Sequence, residues 1–192
     1  MSIRRTLHDI LETVLISLVF LAVLQGSVQN YRVEGSSMEP TLNTQEYLLV
    51  NKLVYFRIDR VRLAHYIPFI HAKPGDVVYL FHPPQRGDIV VFHYPIDPTR
   101  DFVKRVIGVP GDTIQIIQGR VLVNGVAQEE RYVSELASGS MDRKLLGANQ
   151  YFVLGDNRPH SNDSKDWGIV PLNNVVGSGW VTYWPLSQLR VF

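Results

Sequence analysis

Arg4 and Arg5 precede an apolar stretch in which residues 13–31 run for 19 positions without a formal charge. As a helix that run spans roughly 28 Å, close to the hydrocarbon thickness of a bilayer. It predicts a membrane-spanning anchor within residues 1–29. A cleavable signal peptide has a similar basic start and apolar middle. No A-x-A-like triplet follows here, where Leu24-Gln25-Gly26-Ser27 stands, and the remainder would begin almost on top of a motif-rich segment, so a retained anchor is the expectation. Beyond it the pattern changes to short runs rich in Val, Ile, Tyr and Phe, punctuated by Gly, Pro and Asp. These runs fall at 47–50, 77–81, 89–94, 102–107, 113–117, 151–154 and 180–184. They predict a mainly β domain over 30–192, built on antiparallel sheet. Asn124-Gly125 marks a two-residue type I′ hairpin. Residues 133–148, with Ser, Gly and few large apolar side chains, read as a loop or weak excursion inside a small unit at 118–150.

Composition narrows the classes. Hydrophobic residues make up 45% and charged residues 19%, which excludes a disordered or fibrous chain. The net charge of +1, with basic residues spread along the chain, gives no footprint for nucleic acid. The absence of cysteine excludes disulfides, thiolate zinc sites and cysteine nucleophiles. His65, His71, His82, His93 and His160 are not spaced as a metal site, and His8 precedes the span, so neither a metal nor another cofactor is expected. Arg4 and Arg5 favour a cytoplasmic N-terminus with the β domain on the far side of the membrane.

Four segments carry candidate chemistry. They are Gly35-Ser36-Ser37-Met38-Glu39-Pro40-Thr41-Leu42, then Arg86-Gly87-Asp88-Ile89-Val90-Val91-Phe92, then Phe102-Val103-Lys104-Arg105-Val106-Ile107-Gly108-Val109-Pro110-Gly111-Asp112. The last is Gly155-Asp156-Asn157-Arg158-Pro159-His160-Ser161-Asn162-Asp163-Ser164, followed by Trp167-Gly168-Ile169-Val170-Pro171. In this order, after an anchor, they resemble the four soluble-domain boxes of type I signal peptidases, serine peptidases of the Ser/Lys type. The resemblance covers most of 31–184, apart from 53–84 and 118–150.

The residue types fit that chemistry. A serine hydroxyl is a poor nucleophile until a base takes its proton, and Gly35 suits a turn with outward-facing amides near Ser37. Such amides hold a developing oxyanion, each contributing roughly 3 kcal/mol. A lysine of pKa about 10.4 is almost always charged at pH 7, so Lys104 must be desolvated to act as base. Its apolar neighbours Val103 and Val106 offer that. The resemblance matches Ser37 to the nucleophile, Lys104 to the general base, Ser161 to the hydroxyl orienting the amine, and Gly35 to a position near the oxyanion hole. Glycine at that position supplies no hydroxyl, so backbone must do more. Asp163 is matched to an acid paired with Arg105, while Asp156 and Arg158 are expected to be structural. Val33, Met38, Leu42 and Val103 are expected to line shallow pockets for small residues at substrate positions −1 and −3. The implied partners are signal peptides of exported preproteins and the bilayer of the cell membrane.

Three other readings compete. A Ser-His-Asp triad would take His160 as its histidine. A self-cleaving repressor-type protease shares the Ser-Lys pair but needs a DNA-binding domain where the anchor stands. An inactive anchored β module has no reason to keep Ser37, Lys104 and Ser161 together. Outside the resemblance, residues 53–81 mix Tyr55, Phe56, Tyr66, Ile67, Phe69 and Ile70 with Arg57, Arg60, Arg62 and Lys73. Mixed rings and cations suit the headgroup level of a membrane; a β extension with aromatics inward is the alternative. Pro68 and Pro74-Gly75 break any long helix there.

Overall fold

The computed structural model describes residues 3–67, 69, 71, 73 and 77–192. A 25-residue helix, α1 (Ile3–Ser27), extends about 37 Å at 1.5 Å per residue. Its apolar side chains from Leu7 to Leu24 remain exposed, and the helix is long and apolar enough to cross a membrane. The helix ends before the charge-free run does, because residues 28–31 belong to strand β1 (Val28–Arg32), paired antiparallel with β2 (Tyr47–Asn51). Lack of charge is not the same as lipophilicity. Gln29 and Asn30 are polar, and ladder bonds to β2 satisfy their backbone as a continued helix would.

The main sheet adds β5 (Ile89–His93), β6 (Asp101–Gly108), β11 (Gln150–Leu154), β12 (Val170–Pro171) and β13 (Val175–Trp184). Its order is β1-β2-β13-β5-β6-β11-β12, with β14 (Arg190–Val191) on β13, and every pairing is antiparallel. The expected strands are present, but β13 begins five residues before the expected 180, where Gly177 and Gly179 weaken the β pattern and the register shifts against both neighbours.

A second sheet carries β7 (Thr113–Ile117), β8 (Arg120–Val123), β9 (Val126–Ala127) and β10 (Met141–Leu145) in the order β10-β7-β8-β9. The Asn124-Gly125 turn has φ of 54° and 81°, the two left-handed residues that a type I′ hairpin requires. Strand β10 falls where a loop was expected. A register shift between Met141 and Lys144 breaks the two-residue alternation by which a strand is recognised. Buried Phe152, Leu154 and Ile107 of the main sheet pack with Ile114, Val121 and Val123 of the small one, so one apolar seam holds the two sheets together.

The segment between β2 and β5 pairs β3 (Arg57–Asp59) with β4 (Val77–Tyr79) and carries the short helix α2 (Arg60–Tyr66) between them. Its aromatics divide. Tyr55 is a core residue, its hydroxyl donating to Asp88 at 2.5 Å, whereas Tyr66 and Phe69 are 81% and 89% exposed. Pro68, Ile70, Pro74 and Gly75 lie outside the described residues. Val23 and Gly26 of α1 face Phe56, Arg57 and Val77 across a shared cleft, which sets this insertion beside the emerging end of the helix.

Candidate active site

The loop between β1 and β2 carries Ser37. Reciprocal backbone bonds pin its ends, Val33 N donating to Glu46 O and Gln45 N to Val33 O, each at 2.8 Å. Within it Leu42 N donates to Met38 O at 2.9 Å, a helical turn that puts residues four apart on one face. That face is inward. Met38 and Leu42 are 1% and 0% exposed and pack with Val50 and Ile89. They therefore support the loop from below and do not line the cleft, contrary to the sequence expectation.

Lys104 lies in β6, opposite Val90 of β5. It is 5% exposed, and its Nζ stands 2.6 Å from Ser37 Oγ and 3.0 Å from the Val103 carbonyl. Burial lowers its pKa from 10.5 to about 8; the Asp163 and Asp156 carboxylates oppose that shift and the Lys165 ammonium adds to it. A buried amine prefers to be neutral, and a neutral amine can accept the Ser37 proton.

The loop after β11 closes the site. Asn157 N donates to Ser37 O at 3.1 Å and Asn157 Nδ2 to Ser36 O at 3.0 Å. Gly155 is needed for close approach: a Cβ there would stand 2.2 Å from Ser161 Oγ and 2.4 Å from Ser37 O. Ser161 is thus packed beside the backbone of Ser37. Its buried hydroxyl has no hydrogen-bond partner, so the expected bond from Ser161 to the Lys104 amine is not formed in this geometry. Gly35, at φ 84°, lines the cleft next to Ser36 and Ser37.

Arg105 does not pair with Asp163. It forks onto Asp156, Nε to Oδ1 at 2.9 Å and Nη2 to Oδ2 at 2.6 Å. Register explains the change, because Leu154 of β11 pairs with Arg105 and brings Asp156 alongside it. Asp163 is instead the N-cap of α3 (Ser164–Trp167), forms a salt bridge with Lys165 at 3.1 Å and accepts from Gly155 N at 3.1 Å. Arg158 is buried and structural in its contacts, its Nε donating to Gly155 O at 3.0 Å.

Beside Ser37 and Lys104 runs an open cleft of about 610 Å³. Val33, Val103, Leu48 and Val91 are among its lining residues, whereas Met38 and Leu42 are not. Tyr31 and Phe102 add aromatic walls, and Asp101, which also lines the cleft, has its Oδ1 2.6 Å from His93 Nδ1. His160 lines the same cleft as an exposed residue. Asn157, Leu48 and Val91 were missed from the sequence. Asn157 lies within the last motif segment, but nothing in its spacing indicates that its amide reaches a loop 121 residues away.

Comparison with known proteins shows the family. The family model described as signal peptidase, peptidase S26, matches residues 6–184. A signal peptidase I of Leptolyngbya laminosa is 34% identical over 93% of this chain and 80% of its own length. One from Pseudomonas aeruginosa is 32% identical over 87% and 69% respectively, and one from Bacillus caldolyticus 36% over 83% and 81%. With a match that takes in the helix, the Ser37 loop, the Lys104 strand and the loop after β11, the chain belongs to the signal peptidase family, serine peptidases that remove signal peptides.

Proposed function

We propose that Ser37 and Lys104 are the nucleophile and general base of a membrane-bound endopeptidase that cleaves exported preproteins after small residues at −1 and −3. The observation that carries this reading is the 2.6 Å approach of the two groups in a buried setting that lowers the lysine pKa to about 8. Neutral Lys104 accepts the Ser37 proton as Oγ bonds to the scissile carbonyl carbon. Backbone amides of the Gly35–Ser37 turn receive the oxyanion. The Lys104 ammonium then returns the proton to the leaving amine, and water, deprotonated by the same lysine, hydrolyses the acyl-enzyme. Ser161, packed on the Ser37 backbone, orients the amine once substrate fills the cleft. The apolar wall of Val33, Val103, Leu48 and Val91 offers the uncharged surface that small side chains at −1 and −3 would meet.

The substrate is itself membrane-inserted, so the site must lie near the bilayer surface on the side opposite the N-terminus. Arg4 and Arg5 set that orientation. The insertion supplies a second contact with lipid: Phe56, Tyr66, Ile67, Phe69, Leu80 and Phe81 are all exposed, and its base adjoins the end of α1. Exposed rings with nearby cations fit the headgroup region.

Ser37→Ala and Lys104→Ala should each abolish signal-peptide cleavage in folded protein, with Ser161→Ala causing a smaller loss. Substantial cleavage by Lys104→Ala would remove the lysine from its role.

The profile of kcat/KM should rise with pH through about 8. Below that value Lys104 is protonated and cannot accept a proton; above it the amine is neutral and the rate levels off. A limb near about 6.5 that disappears in His160→Ala would transfer the role to histidine.

Protease added outside spheroplasts should digest the β domain; protection of that domain would reverse the orientation.

With the anchor deleted, the domain should bind liposomes, and joint Tyr66→Ser, Ile67→Ser and Phe69→Ser substitution should weaken that binding without unfolding. Equal binding by the folded triple variant would reject the lipid contact.

A further inference from the structure

A buried carboxylate outside the four motif segments reaches both halves of the site. Glu130 follows β9, where the backbone leaves the small sheet, Gln128 N still donating to Val121 O at 2.9 Å. Its side chain is 7% exposed and meets Arg158, 3% exposed, in a two-pronged pair: Nη1 to Oε2 at 2.9 Å and Nη2 to Oε1 at 2.7 Å. The Tyr132 hydroxyl donates to the same Oε1 at 2.9 Å. The Tyr132 ring lies 4.1 Å beneath the Arg105 guanidinium, which itself forks onto Asp156.

We infer that Glu130 is a positioning residue for the peptidase reaction, fixing the loop that backs Ser37 directly and the strand that bears Lys104 through Tyr132. This inference rests on the Ser37/Lys104 reading above. The Arg158 fork divides its donors between Glu130 and Gly155 O, so the position of Gly155 is set by where Glu130 holds the guanidinium. Gly155 has no slack, being packed against Ser161 Oγ and Ser37 O. Asn157, one residue before Arg158, holds Ser36 and Ser37 through their carbonyls. On the other side, Tyr132 supports the face of Arg105, the immediate neighbour of Lys104.

Buried charges make such a strut stiff. Removing one partner leaves the other desolvated and unpaired, so without Glu130 the Arg158 guanidinium must move toward water and release the Gly155 carbonyl. Displacements on the order of 1 Å at a reacting pair can cost about 100-fold in rate. The cleft walls do not include Glu130, Tyr132 or Arg158, so substrate affinity should be spared.

The test uses the full chain in detergent micelles with a signal-peptide substrate, measured well below the melting temperature of each variant. Glu130→Ala should lower kcat by about 10- to 100-fold with KM within about twofold of the parent. Glu130→Gln, which keeps the shape and one acceptor without the charge, should fall between the two. A folded Glu130→Ala protein with parental kcat, whatever its melting temperature, would reduce Glu130 to a stability role and overturn the inference. If Glu130→Ala does not fold, Glu130→Gln is judged by the same criterion. Ser37→Ala measured in parallel separates the two readings, since residual cleavage there overturns the dyad alone.

Discussion

In the proposed role of general base, Lys104 must be neutral and so kept from water, and its burial is the constraint around which the site is arranged. Shifting its pKa from 10.5 to about 8 costs the folded state about 3 kcal/mol at pH 7, because the unfolded chain binds that proton more tightly. The cost persists below pH 8 and is relieved as pH rises from about 8 toward 10.5. The surroundings account for how it is sustained. Lys104 sits in an interior strand between β5 and β11, its amine near the Phe102 ring, with Ser37 Oγ and a main-chain carbonyl as its polar contacts. Among the described residues, no carboxylate is one of its hydrogen-bond partners. A direct ion pair would have favoured the charged amine.

The neighbouring charges follow from the same need. Asp156 and Asp163 both lie close enough to pull the lysine pKa upward, yet each is engaged elsewhere: Asp156 by the Arg105 fork, Asp163 by Lys165 and by the N-terminus of α3. Pairing these acids with other cations lessens their pull on Lys104. Arg105 thus acts on the surroundings of Lys104 by engaging Asp156, and the two acids of the last motif are distinguished by geometry: one is set by strand register and the other by the start of a helical turn.

Much of this was legible in the sequence, for identifiable reasons. Strand positions such as 113–117 showed because β-branched runs bounded by glycine and aspartate leave a local signal, and the Asn124-Gly125 turn because its backbone angles demand those residues. Ser37 and Lys104 were singled out through motif resemblance, since 67 residues of separation carry no information about the contact between them. What escaped was set by tertiary packing. The inward roll of Met38 and Leu42 depends on a turn within the Ser37 loop. The exchange of Asp163 for Asp156 depends on the register of β11 against β6, and β10 is hidden by its own irregular pairing. Glu130 stands between Glu129 and Arg131 and looks like part of a solvated charge run, yet its side chain is buried.

The proposed nucleophile and base are also held by different means. Lys104 is fixed by a strand hydrogen-bonded on both sides, whereas Ser37 belongs to a loop, and loops are by default more mobile than the elements they join. This loop is held from separate directions. Its ends are closed by the bonds between Val33, Gln45 and Glu46, and its middle is gripped from behind by Asn157. Glu46, 2% exposed, accepts two bonds from Arg190 in β14 and a third from Asn43. The C-terminal strand and the loop after β11 therefore do for Ser37 what sheet hydrogen bonds do for Lys104. A 2.6 Å contact between a loop residue and a strand residue requires both kinds of restraint, which is why the residues that shape the site extend well beyond those that take part in the chemistry.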